Sequence, residues 1–425
     1  MVQNKPPAFL VRAAYVAGLC ALGMMSLVVY KLQLQFTNAY RGYLPIDLNS
    51  TYVAMAGLSS VILGFLMPAR LERPSDFFTI LYPVFVMLSF VFFAAGANQT
   101  GIPTFLFRIA ISLVPLVAVS LASKSDWKLV IPLTLRWETL VAILFTIALS
   151  GVAFAVYNSD ESGGFSIIDA YERRTIGRDI FKAGSLVAYL NVMTMNGVIP
   201  FIAFLGGFMN RKSYTVLAIG FSAVFFYSIG VKAPIAFTAL AFVIGAGVRT
   251  HNLSVLFKII ILLTILLFVG FLIEYVTYGR SEIGEYFFRR VYVVPGFDIQ
   301  KYMDLMYGSG SAMWSPFTGI QSDLTVTYLV GATYFGSDQA NVNTNAFIFA
   351  LAESGYVGYL LTVFFVTAFF KLLDALYEGS ANAGYVYIGF LYAILLAEQA
   401  ATTAFVSSGV GLLFMLVVLS GSGRN

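Results

Sequence analysis

Arginine pairs and clusters are the residues of this chain best suited to chemistry. Arg289 and Arg290 are adjacent near the head of a polar stretch, residues 278–344, in a chain that is otherwise largely apolar. A second group, Arg173, Arg174, Arg178 and Lys182, falls in a short run just before another apolar stretch. On a helix, residues 174, 178 and 182 share one face and residues 173, 177 and 180 another. Several guanidinium forks on one face suit a phosphate or pyrophosphate, which they grip with paired hydrogen bonds. The competing reading is interfacial snorkelling, or pairing with Asp169, Glu172 and Asp179. Arg280 lies at the head of the same long stretch as Arg289, and Lys232 sits in a tight turn between two short apolar runs.

Other candidates follow from cost. Arg108 and Glu398 lie inside apolar runs, where a charge is expensive and therefore either functional or paired; these two are candidates to pair with one another. Glu353 stands at the outer end of a late apolar run. The run Phe287-Phe288-Arg289-Arg290-Val291-Tyr292 mixes rings with guanidinium groups. Flat aromatic faces suit sugar rings, so Tyr292 joins the candidate substrate contacts. One histidine, His251, and one cysteine, Cys20, argue against a Ser-His-Asp triad, a disulfide framework and histidine or thiolate metal sites. No metal or organic cofactor is expected, and nothing points to nucleic acid.

The elements that position these residues are membrane spans. Of 425 residues 59% are hydrophobic and 11% charged, against about 25% charged in a soluble domain. Apolar runs near the length that crosses ~30 Å of hydrocarbon recur along the whole chain. They predict an all-α polytopic protein with about twelve transmembrane helices, at 8–30, 49–67, 76–97, 102–122, 137–157, 184–209, 214–230, 234–248, 254–277, 350–372, 383–401 and 404–421. The first run reads as a retained signal anchor. The chain divides into helices one to nine (1–277), a large helical outer loop (278–344) and helices ten to twelve (345–425). Lysine and arginine are spread so that every loop on one side carries a positive charge, which places both termini in the cytoplasm. The segments 31–48, 158–183 and 278–344 then face outward. The last holds thirteen aromatic residues, with six acids against four bases. It is a folded cap rather than a solvated tether.

Three local patterns resemble the O-antigen polymerases and the related ligases. Arg173 and Gly184 have the spacing of the Arg-x10-Gly pattern of an outer loop in the polymerases, whereas Gln300 and Lys301 occupy the glycine positions that would follow Arg289 and Arg290. Ser228-Ile229-Gly230-Val231-Lys232-Ala233 resembles a Gly-Ser-Arg segment common to both, with Lys232 in place of arginine. Thr344-Asn345 followed by Glu353-Ser354-Gly355-Tyr356-Val357-Gly358 resembles a His-Asn…Glu-x-Gly-x-x-Gly stretch of the ligases, with Thr344 in the histidine's place, which favours polymerase. The resemblance implies a GT-C-like fold in a bacterial inner membrane, with the active site facing the periplasm. It further implies polymerisation of undecaprenyl-pyrophosphate-linked oligosaccharide repeat units, the lipid bilayer as surroundings, and a chain-length regulator as a further partner. The catalytic set would be Arg173, Arg289, Arg290 and Glu353. Arg174, Arg178, Lys232, Arg280, Tyr292, Arg108 and Glu398 would contact substrate. The alternatives are an O-antigen ligase and a transporter or flippase of the lipid-linked oligosaccharide.

Overall fold

The computed structural model describes residues 7–43, 45–46, 49–97, 101–132, 135–159, 163–166, 169–170, 173, 184–251, 253–308 and 313–420. Among them the secondary structure is helical apart from one hairpin of two short strands, Trp314–Ser315 and Gly319–Ile320, which pair antiparallel with Trp314 opposite Ile320. Among the described residues eight helices are long and apolar enough to cross a membrane: Phe9–Thr37, Pro74–Phe93, Ile102–Ala122, Trp137–Tyr157, Leu186–Phe208, Lys212–Ile229, Lys258–Tyr278 and Ala346–Ser380. The protein is thus a helical multi-pass membrane protein. Shorter apolar helices occupy four more predicted spans: Ser50–Leu66, Ala233–Arg249, Ala383–Leu395 and Val410–Leu419.

The late spans differ most from expectation. Predicted span eleven stops at Leu395, and Glu398 lies in the turn that follows rather than inside a helix. A six-residue helix, Ala401–Val406, comes next, and Gly409 in the left-handed region (φ +87°) separates it from Val410–Leu419. Predicted span ten extends from Ala346 to Ser380 with a kink at Ser354 and Gly355. Gly355 has φ +63°, and a Cβ there would stand 2.6 Å from the carbonyl oxygen of Pro316. The Tyr356 N–H donates to that oxygen. The strand hairpin therefore sits directly on the kink, where only glycine fits.

The chain forms two compact units. The first comprises residues 1–125, 258–371 and 393–401; the second comprises 126–257, 372–392 and 402–425. The predicted outer loop 278–344 belongs to the first. At the centre of that unit is Pro74–Phe93, 94% buried, whereas Lys258–Tyr278 is 11% buried and lies at its margin. Around the central helix an aromatic core forms: Phe78 stacks on Tyr82 at 5.0 Å, and Phe347 meets both rings edge-on at 5.9 and 5.6 Å. The Val294–Tyr307 helix from the long loop packs along Leu88–Ala97 and buries Phe297, Tyr302 and Met306. It is part of the core rather than a solvated cap.

In the second unit Ile199–Phe208 and Ala233–Arg249 approach through reciprocal glycines. A Cβ on Gly207 would lie 2.3 Å from the Phe242 carbonyl oxygen, and one on Gly245 would lie 2.1 Å from that of Phe204. Small residues that let backbones close up are the usual means of packing helices when lipid is as apolar as the side chains. Gly245→Val drives a side chain into backbone that cannot yield. It is expected to lower stability by roughly 1–3 kcal/mol or more, read as a lower melting temperature in detergent. Gly220→Val, at a position with nothing within 4 Å, should stay within about 0.5 kcal/mol of the parent.

Candidate functional site

In the second unit, part of the segment 163–173 lies against the C-terminal end of Lys212–Ile229. The Gly164 N–H donates to the Tyr227 carbonyl at 3.2 Å. Gly230 ends that helix in the left-handed region (φ +73°), and a Cβ there would meet the Ala170 carbonyl oxygen at 2.2 Å. The glycine of the Ser228–Ala233 pattern is thus what allows the two backbones to touch. Arg173 lies against the same helix end. Only 4% of it is exposed; its Nη2 donates to the Ser166 carbonyl at 2.9 Å, and its guanidinium carbon is 5.8 Å from the Phe226 ring centroid. Among the described residues it has no carboxylate partner. Its Nε and the Ser228 Oγ are both buried without a hydrogen-bond partner there. Buried polar atoms are nearly always satisfied, so unfilled ones point to a polar ligand or water. Lys232 follows, exposed, at the cap of Ala233–Arg249. Arg174 and Arg178, and Lys182 with them, lie outside the described residues.

In the first unit Arg289 and Arg290 share a ten-residue π-helix, Gly284–Val293. Their surroundings differ. Arg289 is 7% exposed, and its Nε is 3.0 Å from the Glu285 carboxylate and 3.1 Å from the Glu285 carbonyl. Its charge is neutralised within its own helix. Arg290 is exposed and faces a group not foreseen from sequence, the buried Asp298. Burial pushes the Asp298 carboxyl well above the usual carboxylate range; the Arg290 cation pulls it down and the Glu398 charge pushes it up further. Glu398 reaches this place because its turn is anchored: the Ala346 N–H donates to the Leu396 carbonyl at 2.9 Å. Immediately before Ala346, the Thr344 Oγ1 and Asn345 Nδ2 are buried without partners among the described residues. The Tyr302 hydroxyl, one helical turn beyond Asp298, donates to the Val342 carbonyl at 2.8 Å. A cation, a buried carboxyl and a second acid therefore act on one another in the first unit.

Other expectations are corrected. Arg108 pairs not with Glu398 but with Asp304, at 2.7 Å and with only 4% of the arginine exposed. Tyr292 is 1% exposed; its hydroxyl meets that of Thr264 at 3.1 Å, and its carbonyl accepts from Ser89 Oγ. It is a core residue with no face left for a sugar. Arg280 is exposed and bound to Glu282 at 3.0 Å. Glu353 is exposed at the kink, with its carbonyl against Gly319. Sequence offered one signal for Asp298: with Arg290 and Val294 it follows a four-residue spacing. The π-helical pitch before it obscures that spacing.

No family model, curated protein or solved structure matches the chain.

Because burial raises the proton affinity of Asp298, ionising it opposes folding. The stability of the parent protein should then fall relative to Asp298→Asn as pH rises through the raised pKa. Thermal melts in detergent should converge at acidic pH and separate in favour of Asn at pH 8. Asp304→Asn should behave in the opposite way, losing about 3–5 kcal/mol, because it strands the buried Arg108 charge.

Proposed function

We propose that the protein polymerises lipid-pyrophosphate-linked oligosaccharide repeat units, with the neighbourhood of Arg290 and Asp298 as the reaction site. The observation that carries the reading is the buried Asp298 carboxyl, whose proton affinity is raised by burial, lowered by the Arg290 cation and raised again by the Glu398 charge. In this reading the acceptor sugar hydroxyl gives its proton to the ionised Asp298 carboxylate as its oxygen attacks the anomeric carbon of the donor glycan. The bond from that carbon to the carrier's pyrophosphate breaks, and undecaprenyl pyrophosphate leaves with the bonding electron pair. A carboxyl whose proton affinity is raised suits such a base. Arg290 opposes the charge growing on the leaving group.

Arg289, bound to Glu285, holds the π-helix in place. In the second unit Arg173 and Ser228 form a separate anion-holding corner, and the reading assigns the same substrate class to it. The bacterial inner membrane and the periplasmic face belong to this proposal, as does a chain-length regulator among its partners.

The test is chain growth from purified lipid-linked repeat units by protein in liposomes, read on gels. The parent should build polymer. Arg290→Ala, Asp298→Asn and Arg173→Ala should each slow growth by about a hundredfold or more. Arg290→Ala also removes the charge that lowers Asp298, so residual activity should require a higher pH than in the parent. Full chain growth in these variants would overturn the assignment of the residues. Movement of the lipid-linked sugar across the bilayer without chain growth would replace the polymerase reading with a transporter.

A further inference from the structure

Beyond the ends of two spans of the first unit, Phe9–Thr37 and Lys258–Tyr278, lies a recess of about 190 Å³. That is roughly six water volumes, the scale of one pyranose ring. Two tyrosines, Tyr40 and Tyr286, line it and are 73% and 69% exposed. Asn38, Glu285, Arg280 and Arg289 line it as well. Rings left this open in a recess walled by amides and charges need an explanation.

The walls are fixed. Glu285 accepts from Thr37 Oγ1 at 2.5 Å and from Asn38 Nδ2 at 2.9 Å while it holds Arg289. Below it the Gln33 amide brackets Ser281 in both directions, donating to its carbonyl at 2.9 Å and accepting from its N–H at 2.8 Å. Ser281 Oγ donates to Glu274 at 2.6 Å, and the Tyr275 hydroxyl donates to the Leu32 carbonyl at 3.1 Å. Arg41 Nε donates to the Tyr40 hydroxyl at 2.7 Å and steadies that ring. Two distant stretches of chain are thus bound into a pre-formed recess, which lowers the ordering cost of any ligand.

The charges are balanced. Arg280 pairs with Glu282 at 3.0 Å and Arg289 with Glu285 at 3.0 Å. A phosphate would find no net positive field here. Paired carboxylates and guanidiniums side by side instead supply acceptors and donors at once, as a ring bearing several hydroxyls needs. Tyrosines also gather at membrane interfaces as a belt, but belt rings face lipid, and these two share a polar recess.

We propose that this recess is a subsite for one neutral, hydroxyl-rich sugar ring, whose apolar face lies on Tyr40 or Tyr286 and whose hydroxyls meet Asn38, Glu285 and Arg280. The assignment of that ring to a growing glycan rests on the polymerase reading; the binding itself does not.

The test is saturation-transfer NMR on the full protein in lipid nanodiscs, with methyl glucoside, methyl galactoside and methyl mannoside as probes. At least one should receive transfer at its ring protons. At least one of Tyr40→Ala and Tyr286→Ala should weaken binding by about tenfold, and phenylalanine at that same position, which keeps the stacking face, should retain it. Both side chains are exposed, so unchanged melting temperatures will show that the variants are folded. Inorganic pyrophosphate and glucuronate should not compete. Absence of transfer above that of the double alanine variant would overturn the proposal, as would displacement by pyrophosphate. No lipid carrier and no chain growth enter this measurement, so its failure and the failure of the polymerase reading are separate results.

Discussion

A few buried polar ties hold the long 278–344 segment onto the spans of the first unit. Burying apolar surface gains little when the alternative is lipid, so hydrogen bonds and close packing must fix which helix lies where. Arg108 grips Asp304 at 2.7 Å. Gln33 brackets Ser281, and Ser89 reaches both the Tyr292 carbonyl and the Gly296 N–H. These three anchors pin the first part of the segment, from Ser281 to Asp304. Between them lie Arg289, Arg290 and Asp298, whose surroundings follow from where the anchors put them.

The neighbouring arginines show how much this matters. They have the same side chain and adjacent positions, yet one is buried against a carboxylate of its own helix and the other is exposed beside a buried acid. Charge alone does not distinguish them. A guanidinium already neutralised at 3.0 Å is a structural tie, and little of its charge is left for a ligand. In the second unit Arg173 shows a third condition, in which a buried guanidinium is held by a carbonyl and a ring while one nitrogen remains unfilled.

Much of the architecture was legible in the hydropathy pattern. Ile102–Ala122 and Trp137–Tyr157 begin and end where the apolar runs do, because polar residues flank both. The Arg173 segment and the Ser228–Lys232 turn were singled out separately, and they meet in the second unit. What escaped was pairing across the sequence. Asp304 lies 196 residues from Arg108, and no window average reports such a partner. Tyr292 read as a surface aromatic because its neighbours are charged, but the π-helical pitch turns it into the core. Glu398 was placed in a span because its flanks are apolar. Hydropathy averages through the turn at 396–400, which is set by a hydrogen bond from Ala346.

The π-helix Gly284–Val293 also constrains how this chain can vary. A π turn carries more residues than an α turn, so it stores one extra residue without breaking the helix. Removing one residue from this stretch ahead of Arg289 would return part of it to α pitch, leaving the flanking helices in phase and shifting the residues within the stretch by one position. Arg290 would rotate toward the place of Arg289, and Glu285 would face a different residue. Point substitutions disturb single contacts, whereas a one-residue deletion here would exchange the roles of the two arginines. Tolerance of this segment to substitution and its tolerance to length change are therefore separate properties, and the second is far the narrower.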